Sequence, residues 1–195
     1  SSTVVADELP FAQGVLATRG GLLVTAAPDL LLLVDDDGDG RADRREVIAT
    51  GFALGNPQLR AACPQHDIDN SVSITGGLSG GIVKKPGDPG PGISIARRDV
   101  RVDLARGTIS PATGFGQFGN AFDDLGRRFT TSNRNPIIAI RLPLEALERN
   151  PFADLGSGFE DAAPSGAASR VYPLTATRAT AASHTGTHTS ACGMT

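Results

Sequence analysis

The chain has 195 residues, of which 39% are hydrophobic, and carries a net charge of -3 with a pI near 5.6. That length holds one sizeable core or two small ones. With no concentrated basic face the chain excludes nucleic acid as a partner, and no apolar run approaches the roughly 20 residues of a membrane-spanning helix.

Glycine (24) and proline (13) are plentiful, while there is no Trp and a single Tyr. This balance predicts many short strands joined by turns. The first apolar runs are Val4-Val5, Phe11 to Ala17, Leu22 to Ala26 and Leu30 to Val34, with a hairpin signal at Gly20-Gly21. The start Ser1-Ser2-Thr3 lacks Met and is expected to be that of a processed or partial product.

Residues 35 to 46 then match every position of a calcium loop. Asp35, Asp37 and Asp39 take positions 1, 3 and 5, Gly40 turns at 6, Arg41 offers its carbonyl at 7, Asp43 sits at 9 and Glu46 closes at 12. Crowded carboxylates repel until a hard cation neutralises them, so the spacing predicts bound calcium through Asp35, Asp37, Asp39, Arg41, Asp43 and Glu46. The alternative is a solvated acidic turn balanced by Arg41, Arg44 and Arg45. The flanks, Leu30 to Val34 and Val47 to Thr50, are too short and too apolar or β-branched for EF-hand helices, so both are expected as strands. A calcium ion there would staple a turn and would not imply catalysis.

Further along, Asp69 to Thr75 leads into Gly76-Gly77-Leu78-Ser79-Gly80-Gly81, which lacks the Lys-Ser/Thr ending of a phosphate-binding loop. Residues 86 to 92 form a plain Pro/Gly loop. Strict alternation in Asp99-Val100-Arg101-Val102-Asp103-Leu104 predicts a half-buried strand, followed by turns at Arg106-Gly107 and at 111 to 114. Phe129 to Ser132 and Ile137 to Arg141 are further strands. One short helix is expected from Pro143 to the stop at Asn150-Pro151. Residues 154–195 read as an irregular wrapping segment, after a β domain over 1–153.

About ten to twelve strands at this spacing suit a propeller or a sandwich. With about 40 to 50 residues per blade, the chain supplies roughly three to four blades. The expected fold is all-β, a partial β-propeller-like arrangement of short antiparallel strands with an EF-hand-like calcium loop and one short helix.

Three stretches point further: the acidic loop running into Glu46-Val47-Ile48-Ala49-Thr50-Gly51-Phe52, the segment from Gly116 to Phe129, and Ser132-Asn133-Arg134-Asn135-Pro136. Together they resemble the propeller region of planctomycete-type membrane-bound dehydrogenase proteins, which are similar to sorbosone and glucose dehydrogenases. The ending Thr189-Ser190-Ala191-Cys192-Gly193 is similar to the same family. The resemblance implies an exported, six- or seven-bladed quinoprotein-like propeller, often fused to a c-type cytochrome. This chain departs from that pattern at Leu59, where relatives carry His after Gln, and at Ser71 and Ser73, where they carry aromatics. It also has no Cys-x-x-Cys-His for covalent haem.

His66 beside Asp67 and Asp69 is the weak candidate for a catalytic base, against the plainer role of a loop histidine among turn-forming aspartates. His184, His188 and Cys192 recur at every fourth residue, but the Thr and Gly between them disfavour the helix that metal ligation would need. Gln117, Asn120, Asp123 and Asp124 are expected to close hydrogen bonds between blades. Cys63 and Cys192 either form one disulfide or remain two buried thiols.

The function that follows is a non-catalytic, calcium-binding structural or accessory subunit of an exported, periplasmic assembly. An electron-transfer or photosynthetic membrane complex would fit. Its partners are other subunits or further blades. The alternative is a pyrroloquinoline-quinone-dependent sugar dehydrogenase with His66 as base.

Overall fold

Residues 2–149, 152–172, 174, 186–189 and 191–193 are described by the structure, a computed structural model. Among them the chain is all-β: fourteen short strands in three antiparallel sheets, with one six-residue helix and two 3-10 turns.

The first sheet is built from β1 (Gly14–Thr18), β2 (Gly21–Ala26), β3 (Asp29–Val34) and β4 (Arg44–Phe52) in chain order. Its β2 and β3 are buried on both faces, which is why Leu30 to Val34 reads as an unbroken apolar run. Leu23 and Leu30 point into the main core. Val24, Leu31 and Leu33 point the other way, where Ala6 and Leu9 of the N-terminal segment cover them.

The second sheet holds β5 (Ala62–His66), β6 (Val72–Thr75), β9 (Asp99–Asp103) and β10 (Thr108–Ala112), in the order β10-β9-β6-β5. Its alternation divides two interfaces. Val72, Ile74, Val100 and Val102 are fully buried against Leu23, Leu30 and Phe52 of the first sheet. Each such side chain contributes about 1.5–3 kcal/mol by leaving water. The residues between them, Ser73, Asp99 and Arg101, turn to the third sheet, so that interface is polar. The third sheet runs β11 (Gly119–Phe122), β12 (Arg128–Ser132), β13 (Asn135–Ile140) and β14 (Phe159–Asp161). The helix α1 (Leu144–Arg149) precedes β14, with the Pro143 carbonyl accepting from Ala146 and Leu147. Its expected stop at Asn150-Pro151 lies outside the described residues.

Strands β1 and β11 each pack against β5, so the first strands of the three sheets adjoin. Between β6 and β9 the chain leaves the second sheet, and the hairpin of β7 (Gly81–Lys84) and β8 (Ile93–Ser94) extends the outer edge of the first beyond β4. The glycine run is this crossover. Gly77 has φ +63, and a Cβ there would stand 2.3 Å from the Leu59 carbonyl oxygen and 2.4 Å from that of Arg60. These glycines let two backbones pass at close range.

Gly77→Ala is therefore expected to lower stability by about 2–4 kcal/mol, strain and overlap together. Gly87→Ala, also at positive φ but with nothing within 4 Å, should cost about 1 kcal/mol. Urea denaturation of the two variants against the parent checks the difference.

Candidate functional site

The acidic loop joins β3 to β4, closing where Val34 pairs with Arg44. Its short carboxylates fold the backbone around themselves. Asp35 accepts the amides of Gly38 (2.7 Å) and Gly40 (2.9 Å), Asp37 that of Asp39 (3.1 Å) and Asp39 that of Arg41 (2.7 Å). Gly38 and Gly40 supply the positive φ angles, +78 and +87, that this winding requires. The result brings carboxylate oxygens of Asp35, Asp37 and Asp39 within 4.8 Å of one another, all exposed and able to hold a metal ion. Hard divalent cations are the ions such an all-oxygen set suits.

Asp43 and Glu46, two further expected ligands, have protein partners of their own. Asp43 accepts the Asp36 amide at 2.7 Å, and Glu46 pairs with Arg44, which also grips Asp36 through two bonds of 2.7 and 3.1 Å. A strand follows the loop where an EF-hand has a helix, so residues 44 and 46 share one face and Glu46 meets its neighbour's guanidinium. Hydrogen bonding from Arg44 lowers the Asp36 carboxyl below its usual value, and Asp36 in turn raises Arg44. The loop is also tied to the N-terminal segment: Ala42 donates to the Val5 carbonyl at 2.8 Å, and Arg45 meets Asp7 at 2.9 Å.

A second constellation lies between the second and third sheets. Asp99 is fully buried, and its carboxylate accepts the amides of Gly76 and Gly116, each at 2.9 Å, and the Arg128 guanidinium at 2.7 Å. Arg128 also donates to Asn120 (2.8 Å) and to the Thr113 carbonyl (3.0 Å). Asn120 passes the network on to the carbonyls of Cys63 and Ser73. Complete burial raises the Asp99 carboxyl; the Arg128 charge foremost, and then the amide donors, oppose that rise. Gln117 adds a bridge from the Gln58 carbonyl to the Asn133 amide. Asp123, by contrast, closes its own turn onto Arg127 and Leu125, and the Arg127 amide chiefly lowers its carboxyl. No bond between sheets from Asp124 is seen among the described residues.

His66 sits at the end of β5, exposed, with Nε2 at 2.9 Å from the Ala17 carbonyl. A carbonyl only accepts, so Nε2 carries the proton and His66 clasps β5 to β1. Its neighbours Asp67 and Asp69 rim a cavity of about 480 Å³ between the second and third sheets. Four arginines line that cavity, and each is already paired: Arg101 with Asp69, Arg127 with Asp123, Arg128 with Asp99 and Arg141 with Glu160. His184 lies outside the described residues. His188 bonds through its amide to Ser169, and Thr187 bridges Arg170 as in a strand, so these two positions are extended and not helical. Both cysteines are free thiols; Cys63 is half-buried, whereas Cys192 is exposed and not the buried thiol that the sequence offered as one option.

A family model described as a domain of unknown function (DUF7133) matches residues 1–195. The chain belongs to that family. No curated protein and no solved structure matches it. For this DUF7133 chain the quinone implied by resemblance finds a poor donor set: pyrroloquinoline quinone is a tricarboxylate, and the arginines of the cavity are taken by protein acids. The acidic loop does fit a hard cation. No helix of the described residues is long and apolar enough to cross a membrane.

Sequence reasoning missed Asp99 and Arg128, which look like ordinary solvent-facing residues of alternating strands. Removing either partner should destabilise the chain by about 3–5 kcal/mol, because the other is left as an uncompensated buried charge. Chemical denaturation of Asp99→Ala and Arg128→Met measures this, with the double variant expected to lose less than the sum of the two.

Proposed function

We propose that this chain is a non-catalytic, calcium-binding structural or accessory module of an exported, periplasmic assembly. The observation that carries this is the convergence of Asp35, Asp37 and Asp39 in a loop bonded to the N-terminal segment that covers the first sheet. Calcium there would neutralise the loop and, through Ala42 and Arg45, hold the covering segment in place. It is a fastener, remote in chain and in contacts from the polar centre.

The three sheets are best understood as successive blades of a β-propeller-type ring. Support comes from their chain-order strands and from the adjoining first strands β1, β5 and β11. The hairpin β7–β8, donated by the second sheet to the edge of the first, would interlock two blades. Further blades or other subunits are the proposed partners. Phe152, Tyr172 and Leu174 are almost wholly exposed in the segment after α1, which is where an apolar partner surface is expected to rest.

A dehydrogenase would need a free base and cations for its quinone. His66 is turned to Ala17 of β1 and does not line the cavity, and the arginines that do line it are paired. An electron-transfer or photosynthetic membrane complex remains the kind of assembly such a module would serve.

Calcium in hundredfold excess over its dissociation constant should stabilise the chain by about 2.7 kcal/mol, read as a rise in melting temperature. Asp35→Asn should abolish that rise. Glu46→Gln should weaken binding less than Asp35→Asn does, since Glu46 faces Arg44. No shift with calcium in the parent chain would remove the proposal's basis.

A further inference from the structure

Cys63 and the residue that follows Cys192 meet at one carbonyl, although more than a hundred residues separate them in the sequence. Cys63 donates its thiol to the Phe118 carbonyl oxygen at 3.0 Å, and Gly193, the residue after Cys192, donates its amide to the same oxygen at 3.4 Å. The Cys63 sulfur and the peptide following Cys192 are thus no farther apart than two hydrogen bonds end to end.

Both sides of this meeting are built in. Cys63 stands at a register shift between β5 and β6 with φ +51, a left-handed backbone that a residue with a Cβ adopts only when its surroundings hold it. Asn120 grips its carbonyl at 3.0 Å. Gly14 leaves room beside its amide, since a Cβ there would fall 2.8 Å from the Cys63 nitrogen. On the other side Ala191 is buried, the Arg170–Thr187 bridge and the His188 amide guide the returning chain, and Cys192 itself is exposed and able to turn.

We propose that Cys63 and Cys192 are a cross-linking pair, and that a disulfide between them fastens the C-terminal segment to the inner strand β5. A low-molecular-weight disulfide is the oxidant. The exposed Cys192 loses its proton and attacks one sulfur of the oxidant, breaking its S–S bond and releasing one thiol after that proton is taken up. Cys63 then gives up its proton and attacks the Cys192 sulfur, forming the protein disulfide and expelling the second thiol. Two protein thiols are oxidised and one small disulfide is reduced to two thiols. Burial raises the Cys63 thiol and keeps it from being the first to attack, so the sequence of steps starts at the exposed Cys192. The bond requires the two Cα atoms to stand about 4.4–6.8 Å apart.

The test is equilibration of the full chain with oxidised glutathione at low protein concentration, followed by intact mass under non-reducing conditions and peptide mapping. The expected product is a monomer lighter by two hydrogen atoms, with the Cys63 and Cys192 peptides joined, and Cys192→Ser should keep a free Cys63 thiol until unfolded. A native monomer that ends with both thiols intact, with glutathione held on Cys192, or as an inter-chain dimer overturns the proposal. So does a Cys63 thiol in Cys192→Ser that reacts as fast folded as unfolded.

Discussion

The Asp99–Arg128 ion pair, with the amides of Gly76 and Gly116 on one side and Asn120 on the other, is the interaction on which the arrangement of the sheets depends. One sheet interface is apolar and would tolerate sliding, since hydrophobic contact has no direction. The other is polar, and its bonds have fixed partners: Asp99 at the start of β9, Arg128 at the start of β12, and Asn120 between the carbonyls of Cys63 and Ser73. A change of register by one residue in β9 would exchange Val100 for Asp99 and ruin both interfaces together. The polar side is costly. Ser73, Thr113, Thr130 and Thr131 carry buried hydroxyls with no protein partner among the described residues, so this interface specifies geometry more than it adds stability.

Against that rigid centre the acidic loop is peripheral and exposed. It acts at the other face of the first sheet, where the N-terminal segment lies over Val24, Leu31 and Leu33. A metal held by Asp35, Asp37 and Asp39 would stabilise a cover, while the polar centre aligns the second and third sheets. The two tasks thus fall on opposite sides of the first and second sheets, and the arginines of the cavity are spent on protein acids.

The elements legible in the sequence are those whose neighbours are simple. Leu30 to Val34 declared a strand buried on two faces, and Asp99 to Asp103 declared alternation, because each side chain there faces one kind of surroundings. Strand β10 was hidden by Pro111, which an edge strand tolerates because no partner needs its amide; it pairs only with β9. Strand β5 was hidden by the shift at Cys63-Pro64, and β7 by the glycines that open it. The loop was legible through its spacing, but the position of Glu46 was not. Spacing rules for a calcium loop assume a following helix, and a strand turns residue 46 toward Arg44. The bridges of Gln117 and Asn120 were expected in kind; the buried partner Asp99 was not, since no single-sequence pattern separates a polar residue that faces water from one that faces another sheet.

Native-state hydrogen exchange at the Gly76 and Gly116 amides tests most directly whether the polar centre binds the sheets into one unit. Both amides are donated to Asp99, one from each side of the interface. If the centre holds the sheets together, the two exchange with the same opening free energy, only through global unfolding, with the denaturant dependence of the whole chain. If Gly116 exchanges through a smaller opening while Gly76 stays protected, the third sheet separates on its own, and the centre is a contact between independent parts.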